Sequence, residues 1–147
     1  MRRALVLALM ALAPVALPAP IALLAAAEPA PAPTHNYPTG KLTIAGEAFA
    51  PGDVLDARAI PDINKKVGIM VSLAPAAAAR LEKITAALIG RPMLVALDGK
   101  TLVAELIHKP VAGGVIEIPG RWTLGEAETL ARRISGKDPL PDDLGAE

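Results

Sequence analysis

Residues 93–107 read MLVALDGKTLVAELI, two apolar runs on either side of Asp98-Gly99. That dipeptide accepts the positive φ angles of a type I′ turn, whose twist matches the strands it joins. The stretch therefore predicts a two-residue β-hairpin with Asp98 and Gly99 at its turn. Gly99-Lys100-Thr101 also imitates the end of a phosphate-binding loop. That motif requires a glycine at 94, where Leu94 stands, and a helix afterwards, where a strand pattern follows. Both failures exclude nucleotide binding.

Upstream of the hairpin lies a helix signal. Pro75 opens it at the first position, where its missing N–H is no loss. Ala77, Leu81, Ile84 and Leu88 then recur at helical spacing on one face, with Arg80, Glu82 and Lys83 elsewhere. Gly90 ends the helix and Pro92 prevents its resumption. Earlier still, residues 41–44, 54–60 and 67–73 read as strands, with a polar turn over 62–66.

Downstream, Gly113-Gly114 leads into a strand over 115–118. Thr123-Leu124-Gly125-Glu126 then forms a capping box. The Thr123 hydroxyl accepts from the Glu126 N–H, and the Glu126 carboxylate returns to the Thr123 N–H. Trp122 is placed to staple over Ala127. Ala127, Leu130, Ala131 and Ile134 make the buried stripe, Arg132 and Arg133 sit near the C-terminal end, and Gly136 closes the helix. The order β-β-β-α-β-β-β-α predicts an α+β two-layer sandwich: a largely antiparallel sheet with two amphipathic helices on one face.

The ends of the chain have a different texture. Met1-Arg2-Arg3 is a positive start, residues 4–13 are an unbroken apolar run, and Ala25-Ala26-Ala27 precedes Glu28. Ala25 and Ala27 supply the small-residue site of a signal peptidase, with cleavage before Glu28. Pro14, Pro18 and Pro20 argue against an uncleaved membrane anchor, since each removes a helical hydrogen bond. The expected organisation is a signal over 1–27, a Pro/Ala-rich tether over 28–39, a folded domain over 40–137 and a flexible acidic tail over 138–147. The expected destination is a bacterial periplasm.

Composition narrows the chemistry. The 147 residues contain no Cys, which excludes thiol catalysis, disulfide staples, Cys-ligated zinc and a lipid-modified Cys anchor. Lys and Arg number 15 against 15 Asp and Glu, so counterion-driven nucleic-acid binding is excluded. A near-neutral charge also implies no overall electrostatic selection of partners. Tyr37, Phe49 and Trp122 are too few for a base-stacking platform. The two histidines are His35, in the tether, and His108, a poor basis for a metal site. Glu105 and His108 stand three apart, on opposite faces if both lie on one strand. Asp53, Asp56 and Asp62 form a loose carboxylate group in which Asp53 and Asp62 suit turns. Ser72 and Ser135 lack a nucleophile-elbow context. The residues predict no catalytic, cofactor or metal site.

The order of motifs over residues 42–141 resembles the head subdomain of the first periplasmic domain of SecD, the export-motor membrane protein. The resemblance rests on Ile44-Ala45-Gly46-Glu47, Asp53-Val54-Leu55-Asp56-Ala57, and Val71-Ser72-Leu73 leading into the Pro75 helix. It continues through Gly90, residues 94–99, Gly113-Gly114, Ile118, Gly120, Trp122-Thr123, Glu126-Ala127, Leu130-Ala131 and Pro139-Leu140-Pro141. Val103-Ala104-Glu105 stands where a Ser-Ala-Pro is common in the family. The resemblance implies the head's fold and contact with polypeptide, but not the proton-driven motor carried by SecD's membrane helices.

The expected function is a non-catalytic periplasmic protein-interaction module contacting exported or unfolded polypeptide at a sheet edge. Pro51, Pro61, Pro110 and Pro119 are candidates for blocking such edges. The alternatives are a structural accessory subunit docking on an envelope membrane complex, or a small envelope enzyme. Membrane contact is expected through a partner or an uncleaved signal alone. Mass spectrometry of the exported protein should find Glu28 at the N-terminus; an intact Met1 on a membrane-embedded form refutes the cleavage.

Overall fold

The computed structural model describes residues 36–141. The signal site at Ala25, Ala27 and Glu28 lies outside the described residues, as do residues 142–147 of the tail. In chain order the elements are β1 (Leu42–Ile44), β2 (Glu47–Phe49), a 3₁₀ turn (Pro51–Asp53), β3 (Val54–Pro61), β4 (Val67–Leu73), α1 (Pro75–Ala86), β5 (Pro92–Leu97), β6 (Lys100–Leu106), β7 (Val115–Trp122) and α2 (Leu124–Ser135).

The 93–107 stretch folds as a hairpin of β5 and β6. Asp98 at φ 52° and Gly99 at φ 79° turn the chain, and Leu97 pairs with Lys100. Asp98 does more than turn. Its carboxylate accepts the Lys41 N–H at 2.8 Å and pairs with Arg133 of α2, while its own N–H donates to the Lys41 carbonyl at 3.0 Å. One residue thus ties the hairpin tip to the start of β1 and to a helix.

All strand pairs are antiparallel, and the protein is an α+β sandwich, but the strands divide between two sheets. One runs β2-β1-β5-β6, the other β3-β4-β7. The division shows in the partners: β1 and β5 are the inner strands of the first sheet and β4 of the second, and β2, β6, β3 and β7 are the edges. Alternation puts Val67, Ile69, Val71 and Leu73 on the buried side of β4, opposite Ile116 and Ile118 of β7. These join Ile44, Val95, Leu81 of α1 and Ile134 of α2 in one continuous apolar core. Burial of such a row contributes about 2 kcal/mol per side chain.

The strand β2 was absent from the sequence-based order. It forms because Ala45 at φ 53° and Gly46 at φ 83° turn the chain back on β1. The α-helical part of α1 ends at Ala86, before the expected Gly90. The Leu88 N–H donates to the Thr85 carbonyl at 3.0 Å and the Arg91 N–H to the Leu88 carbonyl at 2.8 Å, so residues 87–90 are a tightened exit. Arg80 lies across the contact between α1 and β2. Its guanidinium stacks 4.2 Å from the Phe49 ring centre and bonds the Ala48 carbonyl and Asp53, holding α1 to β2.

Residues on either side of the 40–136 stretch are also bonded to it. Tyr37 donates its N–H to the Gly136 carbonyl at 2.8 Å and its hydroxyl to Asp138 at 3.0 Å. The Leu140 N–H donates to Asp56 at 2.9 Å, and its carbonyl accepts from Arg58 at 3.0 Å. Asp56 and Arg58 of β3 thereby hold the backbone N–H and C=O of Leu140.

The α2 cap is formed as read. The Glu126 N–H donates to the Thr123 hydroxyl at 3.3 Å, and the Thr123 N–H donates to the Glu126 carboxylate at 2.8 Å. Those bonds hold the Glu126 carboxyl below its ordinary value, the backbone bond first. A depressed folded value means that the cap's contribution is full above the ordinary glutamate range and is lost as pH falls through the folded value. Thr123→Ala should lower stability by about 1 kcal/mol in denaturant melts, and the deficit should shrink in acid. An unchanged midpoint and slope would show that Thr123 contributes no cap.

Candidate functional site

An edge strand keeps one row of N–H and C=O groups free of ladder partners. Two such edges, β6 and β7, lie side by side, and a groove of about 520 Å³ opens between them. Glu105 and Leu106 form one wall, Val115 and Glu117 the other, and Met93 and Ile116 lie beneath. Leu106 and Val115 are each about half exposed, at 49%.

The floor of the groove is the connection over residues 107–114, and its position depends on α1. Thr85 is fully buried, with its hydroxyl donating to the Leu81 carbonyl at 2.9 Å. The same oxygen accepts the Val111 N–H at 2.9 Å. Further along, the Gly114 carbonyl accepts the Leu73 N–H at 2.8 Å. Gly114 has φ +69°, and a Cβ there would stand 2.4 Å from Ala78, so α1 packs against bare backbone. Thr85 escaped the sequence reading because Ile84 was assigned to the buried stripe. A hydroxyl that returns to its own i−4 carbonyl is the signal that admits a threonine to a core.

The other sequence candidates scatter. Asp53 accepts the Ala50 N–H at 2.9 Å and pairs with Arg80; Asp62 accepts the N–H groups of Asn64 and Lys66 at 2.7 and 2.8 Å. Asp56 serves the Leu140 grip. The Ser135 hydroxyl lies between the Ala131 carbonyl and Lys137, and Ser72 stands within β4. Glu105 and His108 both line the groove. The strand ends at Leu106, so strand alternation does not extend to His108. Among the described residues no His, Cys, Asp and Glu gather in threes as a metal site would need, and no helix is long and apolar enough to cross a membrane.

The architecture defines a small α+β domain of two antiparallel sheets whose open edges flank one largely apolar groove. The chain belongs to the SecDF P1 head subdomain family, whose description matches residues 34–137. It is 31% identical over 90 residues to the protein translocase subunit SecDF of Thermus thermophilus, covering 60% of this chain and 12% of that protein. Identity to SecD of Rhodobacter capsulatus is 35% over 79 residues, covering 54% and 14%. Identity to SecD of Dictyoglomus turgidum is 29% over 104 residues, covering 70% and 25%.

The chain thus spans a quarter or less of these relatives. A solved structure described as a membrane component SecDF that enhances protein export superposes with TM-score 0.55 at 29% identity, covering 67% of this chain and 47% of that one. SecDF in its super-membrane-facing form gives TM-score 0.57 at 28% identity, covering 65% and 13%.

Thr85→Val preserves shape and removes the acceptor for the Val111 N–H, a loss of about 1 kcal/mol. Amide exchange at Val111 should rise while exchange in α2 stays unchanged. A protected Val111 amide in a variant of unaltered stability would show that the hydroxyl does not hold the groove floor.

Proposed function

We propose that this domain is a periplasmic, non-catalytic module that holds exported or unfolded polypeptide in the groove between β6 and β7. The observation carrying this reading is the meeting of two unpaired strand edges at one apolar groove. Main-chain groups on an edge accept any extended sequence, and side-chain pockets refine the choice. Such a mode suits a protein that meets many clients. Family membership supports it, since the relatives are translocase subunits and one is described as enhancing protein export. Export of this chain with cleavage before Glu28 belongs to the same reading.

The usable edge is limited by the sequence. Between the pairs Ile69–Ile118 and Val67–Trp122 the strand β7 bulges over Pro119, Gly120 and Arg121. The free run beside the groove is therefore its first half, Val115 to Ile118. Pro61, at the end of β3, limits the edge on the far side of that sheet.

NMR titration with several unrelated unfolded peptides tests the assignment. Shifts should gather at Glu105, Leu106 and residues 115–117, at millimolar to high-micromolar peptide, and spare β2 and β3. No response to any peptide, with tight binding to one folded envelope protein instead, would replace this reading with a docking role.

A further inference from the structure

Near-neutral overall charge conceals a local bias in the groove. Most carboxylates of the described residues are engaged: Asp53, Asp56, Asp98, Glu128 and Asp138 with arginines, Asp62 in its turn and Glu126 in its cap. Glu105 and Glu117 are exposed, line opposite walls of the groove, and carry neither an ion pair nor a hydrogen bond among the described residues. Glu47 on β2 and Glu82 on α1 share that freedom but are not among the groove-lining residues. Lys109, the one lysine lining the groove, and His108 sit on the connection over 107–114 and not on the walls.

Each wall also sets acid beside hydrocarbon. On β6 Glu105 is followed by Leu106, and on β7 Val115 and Glu117 stand two apart on one exposed face. Successive residues of a strand face opposite sides, and a strand added alongside places its own side chains level with those of its neighbour. A partner strand lying next to β6 therefore meets carboxylate on one side and apolar surface on the other, and one lying next to β7 meets Glu117 beside Val115. Opposite charges across a strand pair attract and like charges repel.

We propose that the groove prefers extended polypeptide in which apolar residues alternate with Lys or Arg. This rests on the groove being the polypeptide site, and adds which segments it retains. A client segment with Asp or Glu at those positions meets two uncompensated carboxylates and is rejected by like-charge contact.

Three peptides of identical apolar positions, with Lys, Ser or Glu at the alternate ones, decide the matter against the full chain. The Lys peptide should bind about fivefold more tightly than the Ser peptide, the scale of one or two exposed ion pairs. The Glu peptide should bind more weakly than either, and added salt should compress the ranking. The double variant Glu105→Gln, Glu117→Gln should lose the ranking and bind the Lys, Ser and Glu peptides alike. Equal binding of all three peptides, or a ranking that survives in the double variant, overturns the charge preference alone. Absence of binding by every peptide overturns the groove as a polypeptide site and this preference with it.

Discussion

Val67, Ile69, Val71 and Leu73 point to one side of β4, and the burial of that row is the constraint on which the other elements depend. A slip of one residue would turn Gly68, Met70 and Ser72 inward and expose the whole row. The register is fixed from several directions. At the β3–β4 turn, Asp62 holds the N–H groups of Asn64 and Lys66. At the other end, the Leu73 N–H reaches the Gly114 carbonyl. In the middle, Gly68 lets the backbone of β7 approach, for a Cβ there would stand 3.1 Å from the Ile118 carbonyl oxygen. With β4 so held, β7 and the groove wall it contributes have a defined place.

The parts legible in the sequence are those whose chemistry is complete within a few residues. Asp98-Gly99 and the Thr123–Glu126 box contain their own donors, acceptors and φ preferences, so each reads without knowledge of the remainder. The Ala45-Gly46 turn has nearly the same φ angles as Asp98-Gly99. It was missed because alanine carries no preference for positive φ; pairing of β2 on β1 imposes the conformation. The division of the strands into two sheets was illegible for a related reason. Alternation tells which face of a strand is buried, but not which strand lies beside it.

The groove itself was beyond local reading. Its walls come from β6 and β7, its floor depends on a threonine of α1, and its wall charges matter because the other carboxylates found partners far along the chain. Asp98 meets Arg133, and Asp56 meets Leu140. Only the assembled structure reveals which acids remain. The family resemblance, by contrast, was visible in the order of weak motifs, because a fold disperses its requirements along the chain even when none is distinctive alone.

Tyr37 and Asp138 meet beside the C-terminal end of α2, where Arg132 lies over the Tyr37 ring and bonds Asp138 at 2.9 Å. Both ends of the described segment consequently emerge at one corner. A pull between them does not shear strand past strand. Tension there falls on the bonds that hold residues 37–40 to α2, Tyr37 to Gly136 and Gly40 to the Arg133 carbonyl, and on the grip of Asp56 and Arg58 on Leu140. Peeling opens bonds in sequence, each at small force, whereas shearing must break a row together. A corner held in this way meets tension one bond at a time.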